Sequence, residues 1–307
     1  MPKTVSVSPH IRSEDSIQKI MWSVVLALTP ALLGALYFFG FTALKVTLTC
    51  VLTCVATEHL IIKYFQRPGN IKDGSAVLTG LLLAFCLPPT APLWIPLIGG
   101  AFAIIVAKHT FGGLGHNIFN PALAGRSFLM ASWPALMTAW VLPFDAVTSA
   151  TPLGVSKLRG MEILKAQNPN LYLDLFTGNV GGCLGETSAI LLLLGAIFLL
   201  YKGIIRPHTP FSYLLSVAVF STLLGQDPVL HLFAGGLILG AFFMATDYVT
   251  TPLTFKGKII FGVCCGILTV VIRLYSGLPE GVSYSILIMN AFTPLIDRYT
   301  KKTEGVA

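Results

Sequence analysis

The chain is short of charge. Asp, Glu, Lys and Arg make up 11% of its 307 residues, whereas 54% are hydrophobic. A soluble domain carries roughly 25% charged residues, and the mean hydropathy here is +0.79. This excludes a soluble enzyme, a disordered protein and a nucleic-acid-binding domain. The net charge of +7 therefore reads as basic loops that anchor a membrane protein at its cytoplasmic face, with lipid rather than nucleic acid as the neighbour. Cysteine is scarce too. Cys50, Cys54, Cys86, Cys183, Cys264 and Cys265 contain no C-x-x-C pair, which excludes a disulfide framework and any complete zinc or iron–sulfur pattern within the chain. They read as small buried hydrophobes. No histidine lies between His116 and His208, so that stretch has no local triad for nucleophilic catalysis.

What the sequence does have is long apolar runs. A membrane helix needs about 20 apolar residues, and shorter pieces suffice where a helix is broken inside the protein. Ten candidates follow: 21–40, 46–62, 74–87, 93–108, 117–134, 185–201, 211–224, 229–246, 258–275 and 283–297. Pro88-Pro89 closes the third, because proline lacks a donor and clashes with the preceding turn. Because residues 1–20 are polar, the run Met21–Gly40 reads as a span and not a cleavable signal. Alternate loops and both tails hold 14 of the 20 basic residues, which predicts cytoplasmic termini and an external loop at 135–184.

The halves echo each other. Leu33-Gly34-Ala35 recurs as Leu194-Gly195-Ala196, and Gly80–Pro92 as Gly240–Pro252. Lys108 with Gly112 recurs as Arg273 with Gly277, and Asn117–Pro121 as Asn290–Pro294. Five spans per half put the second half upside down. The fold class expected is thus an all-α integral membrane protein of about ten transmembrane helices in two inverted five-helix repeats with broken helices. Its parts are a tail at 1–20, a first repeat at 21–134, the external loop at 135–184, a second repeat at 185–298 and a tail at 299–307. The segments 80–92, 240–252, 117–121 and 290–294 are the expected interruptions.

Ionisable groups within spans are costly and point to function. Asp247 ends an apolar run at an expected helix break, where freed carbonyls could join its carboxylate around a cation; the alternative is an acid reaching interface water. Asp73 opens a span, and its bland reading is an N-terminal cap. Glu58 reads as the partner of a nearby basic residue. Arg126, deep in a span, needs an anion or several carbonyls. The glycine-rich Gly112–Asn117 follows a span and no strand, so it fails as a dinucleotide fingerprint. Thr148–Thr151 is small, hydroxyl-rich and exposed by its composition. On these residues alone, an electron-transfer scaffold and an inverted-repeat channel or small-solute transporter without a redox cofactor fit about equally.

Five stretches separate the two: Asp73-Gly-Ser-Ala, Phe111–Arg126, Ser149–Leu153, Gly185-Glu-Thr-Ser188 and Phe243–Asp247. Together they resemble the family that contains the D subunit of the Rnf complex and, more distantly, the B subunit of the sodium-pumping NADH:quinone reductase. The resemblance runs from Ser8 to Asp297. It implies a subunit of an ion-translocating ferredoxin:NAD⁺ oxidoreductase in the bacterial cytoplasmic (inner) membrane. The implied partners are the A, B, C, E and G proteins of an Rnf-type complex, and a flavin transferase. The family joins FMN through its phosphate to a threonine in the pattern Asp-x-x-Ser/Thr-Gly-Ala-Thr. Asp145, Thr148, Ala150 and Thr151 match, with Thr151 as the attachment point, and Ser149 stands where glycine is usual. The resemblance also implies a non-covalent riboflavin, associated here with Asn117, Asn120 and Pro121. Arg126, Glu186 and Thr187 are candidates to contact the attached cofactor. Asp73 and Asp247 match acidic positions linked to ion uptake.

Overall fold

The computed structural model describes residues 16–65, 70–144, 147–186, 188–277 and 281–301. Asp145 and Thr187 lie outside them. The described residues are helical without a named strand; one isolated antiparallel bridge joins Val141 to Thr148. By length and apolar composition two helices can cross a bilayer, α1 (Ile17–Phe65) and the later Phe255–Tyr275; Ser75–Phe85, Trp94–His109 and Ala189–Tyr201 are shorter and apolar.

The first two expected spans are both present, as two helices that meet at a sharp break. α1 holds 49 residues and breaks at Gly40, whose φ of 59° and ψ of −136° no helix contains. Glycine takes that conformation without a Cβ penalty. α2 (Ser75–Phe85) ends before Pro88, as the two prolines require. α3 (Trp94–Phe102) continues as a π-helix over Ala103–His109. α4 covers Pro121–Ser132 and is followed by the single turn α5 (Pro134–Met137).

The segment expected to be an external loop is not an open loop. It folds into α6 (Pro152–Arg159), α7 (Met161–Gln167) and α8 (Leu171–Thr177). Leu153, Leu164, Leu171, Leu175 and Val180 give it an apolar cluster of its own, shared with Leu230 and Ala234. After α9 (Ala189–Tyr201) and α10 (His208–Leu223), the expected span 229–246 is broken in two. α11 (Pro228–Phe233) stops before Gly235 and Gly236, both left-handed. α12 (Leu237–Leu239) then runs into a second π-helix at Gly240–Met244. α13 (Phe255–Tyr275) and α14 (Val282–Thr300) complete the chain. One expected interruption is corrected here: 290–294 lies inside continuous α14, which carries Pro294 without stopping.

Close glycine contacts set the packing. A Cβ on Gly195 would lie 2.0 Å from the Ala27 carbonyl oxygen, so α9 and α1 touch backbone to backbone. Gly262 faces Thr209–Tyr213 and Gly266 faces Tyr213–Ser216, so α10 and α13 run parallel. In the first half Gly100 faces Thr53 and Cys54 while Lys108 meets Glu58, so the same two repeat positions again run parallel.

Polar contacts sort the connections into two ends. At one end the Trp22 indole donates to the Lys72 carbonyl (3.3 Å), the Tyr248 hydroxyl to the Ile204 carbonyl, and the Leu253 N–H to Asp297 (2.9 Å). At the other, Phe144 N–H donates to Phe38 (3.1 Å), Thr90 to Ala139 (2.8 Å), and Tyr172 to Asp227. Each contact joins segments that the Lys/Arg pattern puts on the same side.

Candidate functional site

Three helix starts place the candidate residues, and each is a polar cap followed by proline. Asn120 caps α4: its Oδ1 accepts from the Ala122 and Leu123 N–H groups at 3.1 and 3.3 Å, with Pro121 in the first turn. Thr151 caps α6, its Oγ1 accepting from Gly154 N–H at 3.2 Å ahead of Pro152. Asp227 caps α11 ahead of Pro228. Thr151 is buried, at 8% exposure, which corrects the exposed hydroxyl expected from its small neighbours; Thr148 and Ala150 are exposed.

The break after Met244 meets the start of α4. Asn120 Nδ2 donates to the Met244 carbonyl at 3.5 Å. In the amide orientation that satisfies both ends, Asn290 accepts from Asn120 N–H (3.1 Å) and donates to the Ile286 and Thr250 carbonyls (3.2 and 3.3 Å). The segments 117–121 and 290–294, which echo each other in sequence, are therefore in direct contact. Beside them, Asp247 accepts from Thr250 Oγ1 (3.2 Å) and Val249 N–H (3.5 Å), with the Asn117 side chain as a further neighbour. Thr251 and Thr293 tie down the Ala245 and Thr250 carbonyls, both at distances below 3.0 Å (2.9 and 2.8 Å). The result is a group of carboxylate, hydroxyl and carbonyl oxygens at a helix break, with the Ala245 and Thr250 carbonyls already accepting hydrogen bonds.

A cleft opens next to this cluster. Asn117, Asn120, Pro121 and Asp247 line it, with Leu78, Leu82, Phe242 and Phe243 as apolar walls and Thr79 and Lys108 as further polar groups. Apolar walls with a few convergent polar groups suit a flat heteroaromatic ring with hydrogen-bonding edges. The riboflavin-associated residues thus share one cleft, and they fit such a group.

Asp73 sits at the start of α2. Its Oδ1 accepts from Ser75 N–H (2.8 Å) and Ser75 Oγ (2.7 Å). Ser75 lines the cleft and Asp73 does not. Glu58 has its basic partner, Lys108, at 2.6 Å, with His109 Nε2 at 3.5 Å.

Arg126 and Glu186 come together elsewhere, 3.8 Å apart, with the Arg126 guanidinium 3.6 Å from Cys183 Sγ. They line a small cavity with Gly235 and Gly236. A Cβ on Gly236 would lie 3.0 Å from Glu186, and one on Gly235 would lie 2.5 Å from Leu153, two residues beyond Thr151. Arg126, Glu186 and the head of α6 therefore meet at one glycine pair. Asp73 joins neither group, and Thr187 lies outside the described residues.

The sequence reading missed Arg273. It is 2% exposed and donates to the carbonyls of His231 (2.6 Å), Ala234 (2.9 Å) and Gly235 (3.3 Å). Lys157 of α6 in turn donates to the Arg273 carbonyl at 2.7 Å and to Ser276. The signal was present, since Arg273 is the repeat counterpart of Lys108, but its partners lie about forty residues away.

The sequence profile of the NQR2, RnfD, RnfE family matches residues 4–305. The chain belongs to that family. It is 52% identical, over 97% of its length and 94% of the relative's, to the D subunit of the Na⁺-translocating ferredoxin:NAD⁺ oxidoreductase complex of Acetobacterium woodii. It is 50% identical, with the same coverage of 97% and 94%, to the D subunit of the proton-translocating ferredoxin:NAD⁺ oxidoreductase complex of Clostridium ljungdahlii. The D subunit of the ion-translocating oxidoreductase complex of Methanosarcina acetivorans is 38% identical over 99% of this chain and 98% of its own length.

Proposed function

We propose that the chain is the membrane electron-transfer subunit of an ion-translocating ferredoxin:NAD⁺ oxidoreductase, carrying FMN as a phosphoester on Thr151 and a non-covalent riboflavin in the cleft. It works with Rnf-type subunits, which supply the nucleotide and iron–sulfur steps. Both termini face the cytoplasm, and the α6–α8 segment faces outward. The two halves form an inverted repeat, a reading supported by the parallel pairing found in each half and by the Asn120–Asn290 contact. The observation that carries the function is the broken element α11–α12. One end holds Gly235 against Leu153, next to Thr151; the other runs into Met244 and Asp247 at the cleft. A change at the outer flavin therefore has a packed route to the oxygen cluster.

The flavins supply the electron chemistry; the chain binds and places them. Thr151 has no histidine in its loop to activate it, so attachment needs a separate transferase. Its Oγ1 is buried and accepts from Gly154 N–H, so the first turn of α6 opens for the transferase to reach it, with loss of a cap worth about 1 kcal/mol while it is open. Arg126 and Glu186, across the glycine pair, are the side chains we assign to contact the attached group. Relatives at 52% and 50% identity are named for sodium and for protons, and Asp247 with its surrounding hydroxyl and carbonyl oxygens suits either ion. Asp73 acts through Ser75 at the cleft wall.

The test is flavin fluorescence on a denaturing gel of protein made with the transferase present. Thr151→Ala abolishes the band and leaves the non-covalent flavin in place; Thr148→Ala keeps the attachment site. Peptide mass spectrometry that finds FMN on Thr148 or Ser149 with Thr151 bare refutes the assignment.

A further inference from the structure

The flavin reading leaves one wall of the cleft unused. Lys108 lines the cleft yet is 2% exposed. Its Nζ donates to Glu58 Oε1 at 2.6 Å and to Ser75 Oγ at 2.7 Å, and the Ser75 hydroxyl in turn donates to Asp73 Oδ1 at 2.7 Å. Three segments thus converge on one ammonium: late α1, the head of α2 and the π-helix after α3. A π-turn adds a residue to the helical turn and re-aims the side chains that follow, and such turns recur at functional sites.

A buried ammonium is expensive unless paired. The pairing here is incomplete on the acid side: Glu58 Oε2 is buried with no hydrogen-bond partner among the described residues. Two of the three ammonium N–H groups are spent on the clamp, which fixes the charge in place while leaving one N–H uncommitted. Lys108 lines the cleft and Glu58 does not, so the charge nearest a ligand on this wall is positive. Asp247 supplies the opposite sign elsewhere on the lining.

We infer that Lys108 is a positioning residue for electron transfer, its clamped positive charge raising the reduction potential of the electron-accepting ring held in the cleft. This rests on the proposed non-covalent flavin. Negative charge added to the ring on reduction is stabilised by a nearby fixed cation and disfavoured by a nearby carboxylate, and both effects are strong where water is excluded. Glu58 and Ser75 keep the ammonium from swinging away, so the effect needs no rearrangement at the moment of transfer.

The test is a spectroelectrochemical titration of the non-covalent flavin in the purified complex, with flavin content measured by chromatography after extraction. Lys108→Met lowers the equilibrium constant for the first electron at least about tenfold, about 59 mV for a one-electron step. Lys108→Arg restores most of it, and Asp247→Asn moves the potential the other way. Glu58→Gln, which keeps an acceptor for the ammonium but removes its counter-charge, raises the potential and serves if Lys108→Met does not assemble. Flavin retained in Lys108→Met with less than a twofold change overturns the inference, as does a Glu58→Gln potential that is unchanged or lowered. A wild-type complex that yields only the covalent flavin overturns the cleft-flavin reading and this one with it.

Discussion

Lys108 and Arg273 hold matching positions in the two halves, and both are 2% exposed, yet they do different jobs. Lys108 finds a carboxylate and a hydroxyl and borders the cleft. Arg273 finds three carbonyls at the Ala234–Gly235 break and borders no part of the cleft. The difference follows from the chemistry of the two side chains. A planar guanidinium with five donors can gather the loose carbonyls of a broken helix, whereas a compact ammonium serves as a point charge. One half has spent its buried cation on bracing, the other on the site.

The sharpest way to break this comparison is to remove the brace. Arg273→Met leaves the His231, Ala234 and Gly235 carbonyls without their donor, and each buried group left unpaired costs about 1–3 kcal/mol. The expected outcome is a thermal unfolding transition in detergent lowered by several degrees or more, while Lys157 keeps its acceptor, because the carbonyl it meets belongs to the backbone of residue 273. Arg273→Lys recovers only part, lacking the fork. A variant as stable as wild type would mean that the break at Gly235–Gly236 needs no brace.

Asp247→Asn acts on the other side of the comparison. It keeps the shape of the oxygen cluster and removes one charge at the cleft. The expected effect is a fall of about tenfold in apparent ion affinity of turnover in the assembled complex, with flavin content and thermal stability unchanged, on the scale of one lost charged contact. Unchanged ion dependence would return Asp247 to the role of an interface acid.

The smallest effect belongs to the α6–α8 segment. Burial pushes the Asp227 carboxyl up, but the Tyr172 hydroxyl, the Leu230 and Val229 N–H groups and Lys165 outweigh it and hold the carboxyl below its ordinary value. A carboxyl depressed in the folded state adds stability that is complete above the unfolded pKa, about 3.9, and is lost as pH falls through the lower folded value. Docking of α7 and α8 on α11 should therefore be constant from neutral pH to about pH 5 and weaken only below about pH 4. Hydrogen exchange across 161–177 measures it, and Asp227→Asn should flatten the profile while leaving the Lys108 cleft untouched.

The sequence by itself determined the membrane class, the family and most of the helix punctuation. Low charge and long apolar runs leave no soluble fold, and Asn120-Pro121 and Thr151-Pro152 start helices through local capping that needs no tertiary contact. Asp247 at a break and Glu58 beside a basic partner were legible for the same reason: a charge inside an apolar run must be answered. What only the tertiary structure decided is which group answers. Lys108 reaches Glu58 across 50 residues, Asn120 meets Met244 across 124, and Arg273 braces a break some 40 residues before it. No local pattern encodes those distances. The burial of Thr151 and the split of 229–246 at Gly235–Gly236 belong to the same class, because both depend on Leu153 packing against a glycine that leaves it room. Local sequence sets where helices begin and end; which buried charge becomes a brace and which a site is set by the neighbours that folding brings alongside.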